Sequence, residues 1–197
     1  MEENNKKKPK DRILEAAEDL FYRQGIQAVG MDLIAKEANV AIKTLYRHFS
    51  SKDELIKAYL EKVDQRWLDW MKDYVQRASN HPKRKLLAVF DALDEWFNQE
   101  GFRGCAFINA AGELGLDKEE AHQIACNHKL AVSRMIRDLV KDLDMNDETL
   151  VHQLQMLVEG AIVLAYITNN KDSAKTAKKA AITLIEQSQM IQKQGNK

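Results

Sequence analysis

Residues 31–55, MDLIAKEANVAIKTLYRHFSSKDEL, constrain this chain more than any other stretch. Ile34, Ala35, Ala38, Val40, Leu45 and Phe49 recur at helical spacing across a single interruption. Asn39 stands at that interruption, and its short amide side chain tolerates the left-handed backbone of a tight turn. The spacing predicts two short helices joined by a turn, then a third helix opened by Ser51 and Glu54 at capping-box spacing. Between the apolar positions lie Lys43, Thr44, Tyr46, Arg47, His48 and Lys52. Their cations, ring N–H groups and hydroxyls suit phosphate oxygens and base edges. A helix-turn-helix whose second helix carries such groups is a device for entering the DNA major groove.

A chain of 197 residues can bury one good core, or two small ones that share a helix. Two prolines, eight glycines and no strand-like alternation give an all-α expectation. The formal net charge is zero, so any attraction for DNA has to be local. Between positions 36 and 52 there are four basic residues (Lys36, Lys43, Arg47, Lys52) against one acid, Glu37, with His48 besides. Lys6, Lys7, Lys8, Lys10 and Arg12 read as a flexible basic arm, either simply solvated or touching phosphate transiently. Cys105 and Cys126 lack CxxC spacing, and neither a signal-peptide pattern nor an apolar run near about 18 residues is present. The expectation is a cytoplasmic protein with reduced thiols and no membrane partner. The segment GAIVLAYI, 160–167, is too short to span a bilayer and reads as a buried helix.

Ile13, Leu14, Ala16, Ala17, Leu20 and Phe21 mark an amphipathic first helix that stops at Gly25. The helix opened by Ser51 keeps its apolar spacing through Tyr59, Val63, Trp67, Trp70 and Tyr74 to about residue 79, a rod of roughly 40 Å. Pro82 starts another helix, 100–104 form a loop, and a helix from about 105 to 114 ends at Gly115. Asp117 and Glu120 have capping-box spacing at the head of a helix to about 143. Asn146 or Asp147 opens the next, to about 168, and a last helix covers about 172–192. Val158, Ala161, Ile162 and Ala165 on the first of these, and Ala174, Ala177, Ala181, Leu184, Ile185 and Met190 on the second, are either monomer core or an association face.

RILEAAEDLFYRQG, MDLIAKEA and TLYRHFSSKDEL, in that order and spacing, resemble the N-terminal domain of the TetR family of bacterial transcriptional regulators. The likeness covers about residues 9–59. It implies an N-terminal three-helix DNA-binding domain over 1–59, with 1–8 as the basic arm, and a C-terminal helical effector-binding and dimerisation domain over 60–197. The resemblance further implies a homodimer on a pseudo-palindromic double-stranded DNA operator, and a repressor released by a small-molecule effector, without cofactor. By position in the family motif, Tyr46 reaches phosphate, Thr44 touches phosphate or a base edge, and His48 and Lys52 hold the DNA backbone. Ile42, Lys43 and Arg47 fall on the variable, base-reading face. The family commonly has Gly where this chain has Asn39, Ser or Thr at Ala41, and Lys-Gly at Ile42-Lys43. These departures leave the operator sequence open.

Farther along, Arg103 to Asn109 with Glu113 resembles a Gly-Cys-x-x-x-Asn-x-x-x-Glu pattern of TetR-like effector domains. Cys105, Asn109 and Glu113 are four apart and share a helix face. They either tie helices together or anchor a ligand in a cavity lined by Trp67, Trp70, Tyr74, Phe90, Trp96, Phe97 and Phe107. Alternatives on the same scaffold are a redox regulator using Cys105, with Arg103 as its nearby cation, and a metal regulator using His122, Cys126 and His128. A helical protein–protein adaptor is the remaining one. The sequence contains no triad, P-loop or paired-carboxylate arrangement, so an enzyme is not expected.

Overall fold

The computed structural model describes residues 7–115 and 118–195. Among them nine helices occur and no strand: α1 (Pro9–Gln24), α2 (Met31–Glu37), α3 (Ile42–His48), α4 (Lys52–Ala78), α5 (Pro82–Phe97), α6 (Ala106–Leu114), α7 (Glu119–Lys141), α8 (Glu148–Ile167) and α9 (Ser173–Gly195). The chain is all-α and has the fold expected from the sequence. It divides into two compact units. The first runs to Gln65 and takes in Ala106–Asn127; the second holds Arg66–Cys105 and the chain from His128 onward.

In the first unit, α1 starts at a proline whose missing N–H costs nothing there. It ends where Gly25, at φ 91°, returns its N–H to the Phe21 carbonyl. Ile13, Ala17, Leu20 and Phe21 on α1, Ile34 on α2, Leu45 on α3 and Leu55, Tyr59 and Leu60 on α4 are buried and form this core. The Phe21 and Tyr59 rings meet at 5.5 Å. At the head of α4, Ser51 Oγ accepts the Glu54 N–H at 3.1 Å. The Glu54 carboxylate reaches one residue farther back than a reciprocal box requires, to the Ser50 N–H at 2.7 Å and the Ser50 hydroxyl at 2.8 Å.

The expected flexible arm needs correcting. Lys10 and Arg12 belong to α1, Lys8 is its N-cap, and Lys7 pairs with Glu15 at 2.8 Å. Lys10 Nζ sits 5.7 Å above the Phe49 ring. Helix propensity from Pro9 onward fixes these residues. Lys6, and Asp117 as the expected cap of α7, lie outside the described residues.

In the second unit α5 turns Leu86, Val89, Phe90, Leu93 and Phe97 inward and packs against α8 and α9. Asp147 caps α8, accepting the Leu150 N–H at 2.9 Å, and receives the Ser188 hydroxyl from α9. These bonds hold its carboxyl below the ordinary value, the Ser188 contact most strongly. The small residues of the last helices turn out to be intrachain packing. Val158, Ala161, Ile162 and Ala165 on α8, and Ala174, Ala177, Ala181 and Ile185 on α9, are all buried within one chain, whereas Leu184 is half-buried and Met190 is exposed. As a whole, α8 has 20 residues and a window of mean hydropathy 1.5. It is therefore long and apolar enough to cross a bilayer, unlike residues 160–167 read alone. One of its faces is buried on α5 and α9, while Met156, Val163, Leu164 and Ile167 stay exposed.

Candidate DNA interface and effector region

The turn between α2 and α3 is built as its residues predict. Asn39 adopts φ 51°, and the Ala38 and Val40 N–H groups return to the Ile34 and Ala35 carbonyls at 2.9 and 3.0 Å. Arg12 adds a long-range tie: its Nη1 donates to the Asn39 carbonyl at 3.2 Å.

The recognition-type helix α3 has seven residues and is fixed by Leu45, fully buried, with Phe49 just beyond its end. Ile42, Lys43, Tyr46 and Arg47 share the opposite, exposed surface, where Tyr46 keeps 48% of its area open. Thr44 and His48 are half-buried. No carboxylate lies on α3, so its exposed face is purely cationic and neutral. Ala41 is the N-cap and supplies no side-chain bond, as its methyl group dictates.

Lys52 stands apart from this group. Half-buried, it directs Nζ to the Gln27 carbonyl at 3.5 Å. Burial lowers its pKa, and the Glu113 and Asp53 carboxylates oppose that shift.

The second unit gathers the aromatic candidates. Trp67 meets Trp70 at 6.2 Å and Trp96 at 6.0 Å; Trp70 and Trp96 are 6.4 Å apart, and Tyr74 is 6.2 Å from Trp70. All four are half-buried, whereas Phe90 and Phe97 are closed into the α5 core. Two residues missing from the expected lining join them: His128 lies 5.2 Å from Trp67, and Phe102 5.1 Å from Trp96. The Trp67 indole Nε1 is buried without a hydrogen-bond partner. Burial raises the Tyr74 pKa, aided by Glu95, Asp91 and Asp94.

Residues 13–59 match the profile of the bacterial regulatory proteins, tetR family. The HTH-type transcriptional regulator YjdC of Escherichia coli K12 is 23% identical over 87% of this chain and 91% of its own length. A crystal structure of a TetR-family transcriptional regulator from Streptomyces coelicolor superposes with a TM-score of 0.82 at 29% identity, covering 91% of this chain and 95% of that one. The HTH-type transcriptional activator FasR of Mycolicibacterium smegmatis is 30% identical over 83% of this chain and 76% of its own length. The chain belongs to the TetR family. It is a DNA-binding transcriptional regulator rather than an enzyme.

In this TetR-family regulator the Gly-Cys-x-x-x-Asn-x-x-x-Glu string is divided between the units. Phe107, Asn109 and Glu113 lie on α6 in the first unit, and Phe107 is buried. Glu113 is already engaged, accepting the Gln27 N–H at 2.9 Å. Cys105 belongs to the second unit, only 5% exposed. Lys129 supplies a cation beside it. Lys129 Nζ lies 3.4 Å from Sγ and 2.6 Å from Glu159 Oε2, while Glu159 Oε1 is buried without a hydrogen-bond partner. A separation of 24 positions hides this pairing from any local pattern. The expected metal alternative fares worse: among the described residues no three His, Cys, Asp or Glu side chains come together to hold an ion.

Proposed function

We propose that this regulator binds a pseudo-palindromic operator as a homodimer, represses transcription from it, and is released by a small apolar or amphipathic molecule. The observation that carries the reading is the exposed face of α3, where Lys43, Tyr46 and Arg47 stand free of any acidic neighbour on the helix. Lys43 and Arg47 are suited to guanine edges, Ile42 to a thymine methyl, and Thr44, Tyr46 and His48 to phosphates. Such a protein works in the cytoplasm, where the DNA is.

The dimer is supported by α8. Met156, Gly160, Val163, Leu164 and Ile167 recur at helical spacing on its exposed side, Ile167 with 71% of its area open. A Cβ at Gly160 would meet nothing within 4 Å, so a second helix has room to approach there. Two α3 helices of a twofold pair would read half-sites about one DNA turn apart, roughly 34–36 Å.

The effector reading rests on the half-buried tryptophan group, its orphan indole N–H, and the unpaired Glu159 oxygen. These are apolar walls and polar handles of the kind small-molecule sites use. Helix α4 carries both Lys52 and Trp67. Repression follows if the operator overlaps the promoter. FasR is an activator, so transcription in vitro from the native promoter tests the sign.

A footprint on the DNA flanking the gene is the direct test of binding. Tryptophan fluorescence then identifies the effector, whose affinity must fall when operator is present, because coupling is reciprocal. A molecule that perturbs the tryptophans equally with and without operator contradicts the switch. A second reading, redox control through Cys105, is favoured by the Lys129 contact alone. Unchanged release of DNA by oxidant in Cys105→Ser contradicts it.

A further inference from the structure

Glu113 sits in the last turn of α6, yet its bonds go to the far end of α1. Its Oε2 accepts the Gln27 backbone N–H at 2.9 Å, and the Gln27 side-chain Nε2 donates back to the Glu113 carbonyl oxygen at 2.8 Å. Two reciprocal bonds therefore close a loop of 86 positions. The backbone beneath the carboxylate is Gly25, at φ 91°, where a Cβ would stand 3.0 Å from Glu113 Oε2 and 3.2 Å from Oε1. The carboxylate thus rests directly on backbone that a side chain would hold away. On the other side of Gln27, its carbonyl faces the Lys52 ammonium at the first residue of α4.

The same end of α4 is tied a second time. Lys118 Nζ pairs with Asp53 at 2.6 Å and Lys57 with Glu120 at 3.8 Å, beside a cavity of about 260 Å³ lined by Ile56, Leu114 and Ala121 among others. Those pairs are exposed and screened by salt, so they add little. The Glu113–Gln27 bonds are different in kind, because they fix backbone directly and one of them is charge-assisted.

We propose that Glu113 is a positioning residue for operator binding: through Gln27 it sets where α1 ends and α4 begins, and so the attitude of α3 between them. The proposal rests on the operator-binding reading above. It gives Glu113 no contact with DNA and no part in holding an effector. The group acts through Gln27.

The test uses the full chain without effector and reads operator affinity, its salt dependence and thermal unfolding. Glu113→Ala is expected to weaken operator binding on the order of tenfold, with the slope against salt unchanged because no phosphate contact is lost. Glu113→Gln keeps an acceptor for the Gln27 N–H and should recover most of that affinity. Adding Gln27→Ala to Glu113→Ala should cost little more, since both cut the same clamp. Wild-type affinity in Glu113→Ala, additive losses in the double variant, or losses that merely follow the melting temperature would each overturn the proposal. A wild-type chain that binds no operator at all would overturn the DNA-binding reading and this inference with it.

Discussion

Arg12, in the second turn of α1, donates through Nη1 to the carbonyl oxygen of Asn39, at 3.2 Å and 27 positions away. That carbonyl belongs to the one residue of the α2–α3 turn with a left-handed backbone, φ 51°. The bond holds the turn against the helix behind it, and Asn is the side chain that makes the turn affordable without glycine. Asn39→Val is expected to destabilise the chain by about 1–2 kcal/mol, and Asn39→Gly to leave it unchanged or slightly more stable. Arg12→Ala should cost about 1 kcal/mol. Denaturant titration measures all three, and a neutral Asn39→Val would contradict the account of this turn.

The turn was legible in the sequence because Asn39 interrupts an otherwise regular apolar pattern. Gly25 and the Ser51–Glu54 pair were legible for similar reasons, each being a local signal read within a few residues. The partners of Arg12, Glu113 and Cys105 were not, because Asn39, Gln27 and Lys129 lie 24 to 86 positions away and no period connects them. Helix α8 shows a different limit. Apolar residues surround it, so spacing alone could not separate the buried Ala161 side from the exposed Ile167 side. The small residues left monomer core and association face both open, and they lie where α8 and α9 pack within the chain.

The exposed face of α3 separates base reading from backbone holding. Tyr46→Phe removes one hydroxyl and should weaken binding to every sequence by about 0.5–1.5 kcal/mol. Lys43→Ala should instead relax preference at one position per half-site, a discrimination of about 1–3 kcal/mol. Binding isotherms on operator variants at several salt concentrations distinguish the two. Equal relaxation of preference by both substitutions would contradict the assignment.

Association and folding can be separated on one helix pair. Ile167→Glu places a charge on the exposed stripe of α8, twice in a twofold dimer, and should raise the dimer dissociation constant roughly a hundredfold while each chain stays folded. Ala181→Glu buries an unpaired charge where α9 is fully closed and should cost more than about 3 kcal/mol of stability. Analytical ultracentrifugation and circular dichroism report the two effects. A folded, dimeric Ile167→Glu chain would remove α8 from the interface.

Asp147 gives the second unit an acid-sensitive cap. Its carboxyl is held below the ordinary 3.8 by the Ser188 hydroxyl and the Leu150 N–H, so the folded state favours the charged form. The stabilisation is fully present above 3.8 and is lost as the pH falls through the depressed folded value. Asp147→Ala should cost about 1 kcal/mol at neutral pH. The gap from wild type should narrow in acid, as thermal melts across the pH range will show. A gap that widens in acid would reverse the sign and contradict the cap.

If two copies of the α3 face read two half-sites of DNA, selection of bound sequences from random duplexes should enrich a pseudo-palindrome whose half-site centres lie about one helical turn, 10–10.5 base pairs, or a whole multiple of that apart. The enrichment should disappear when Lys43 and Arg47 are both replaced by alanine. Recovery of no symmetric sequence by the wild-type chain, or of the same sequence by the doubly substituted one, would contradict this reading of the α3 face.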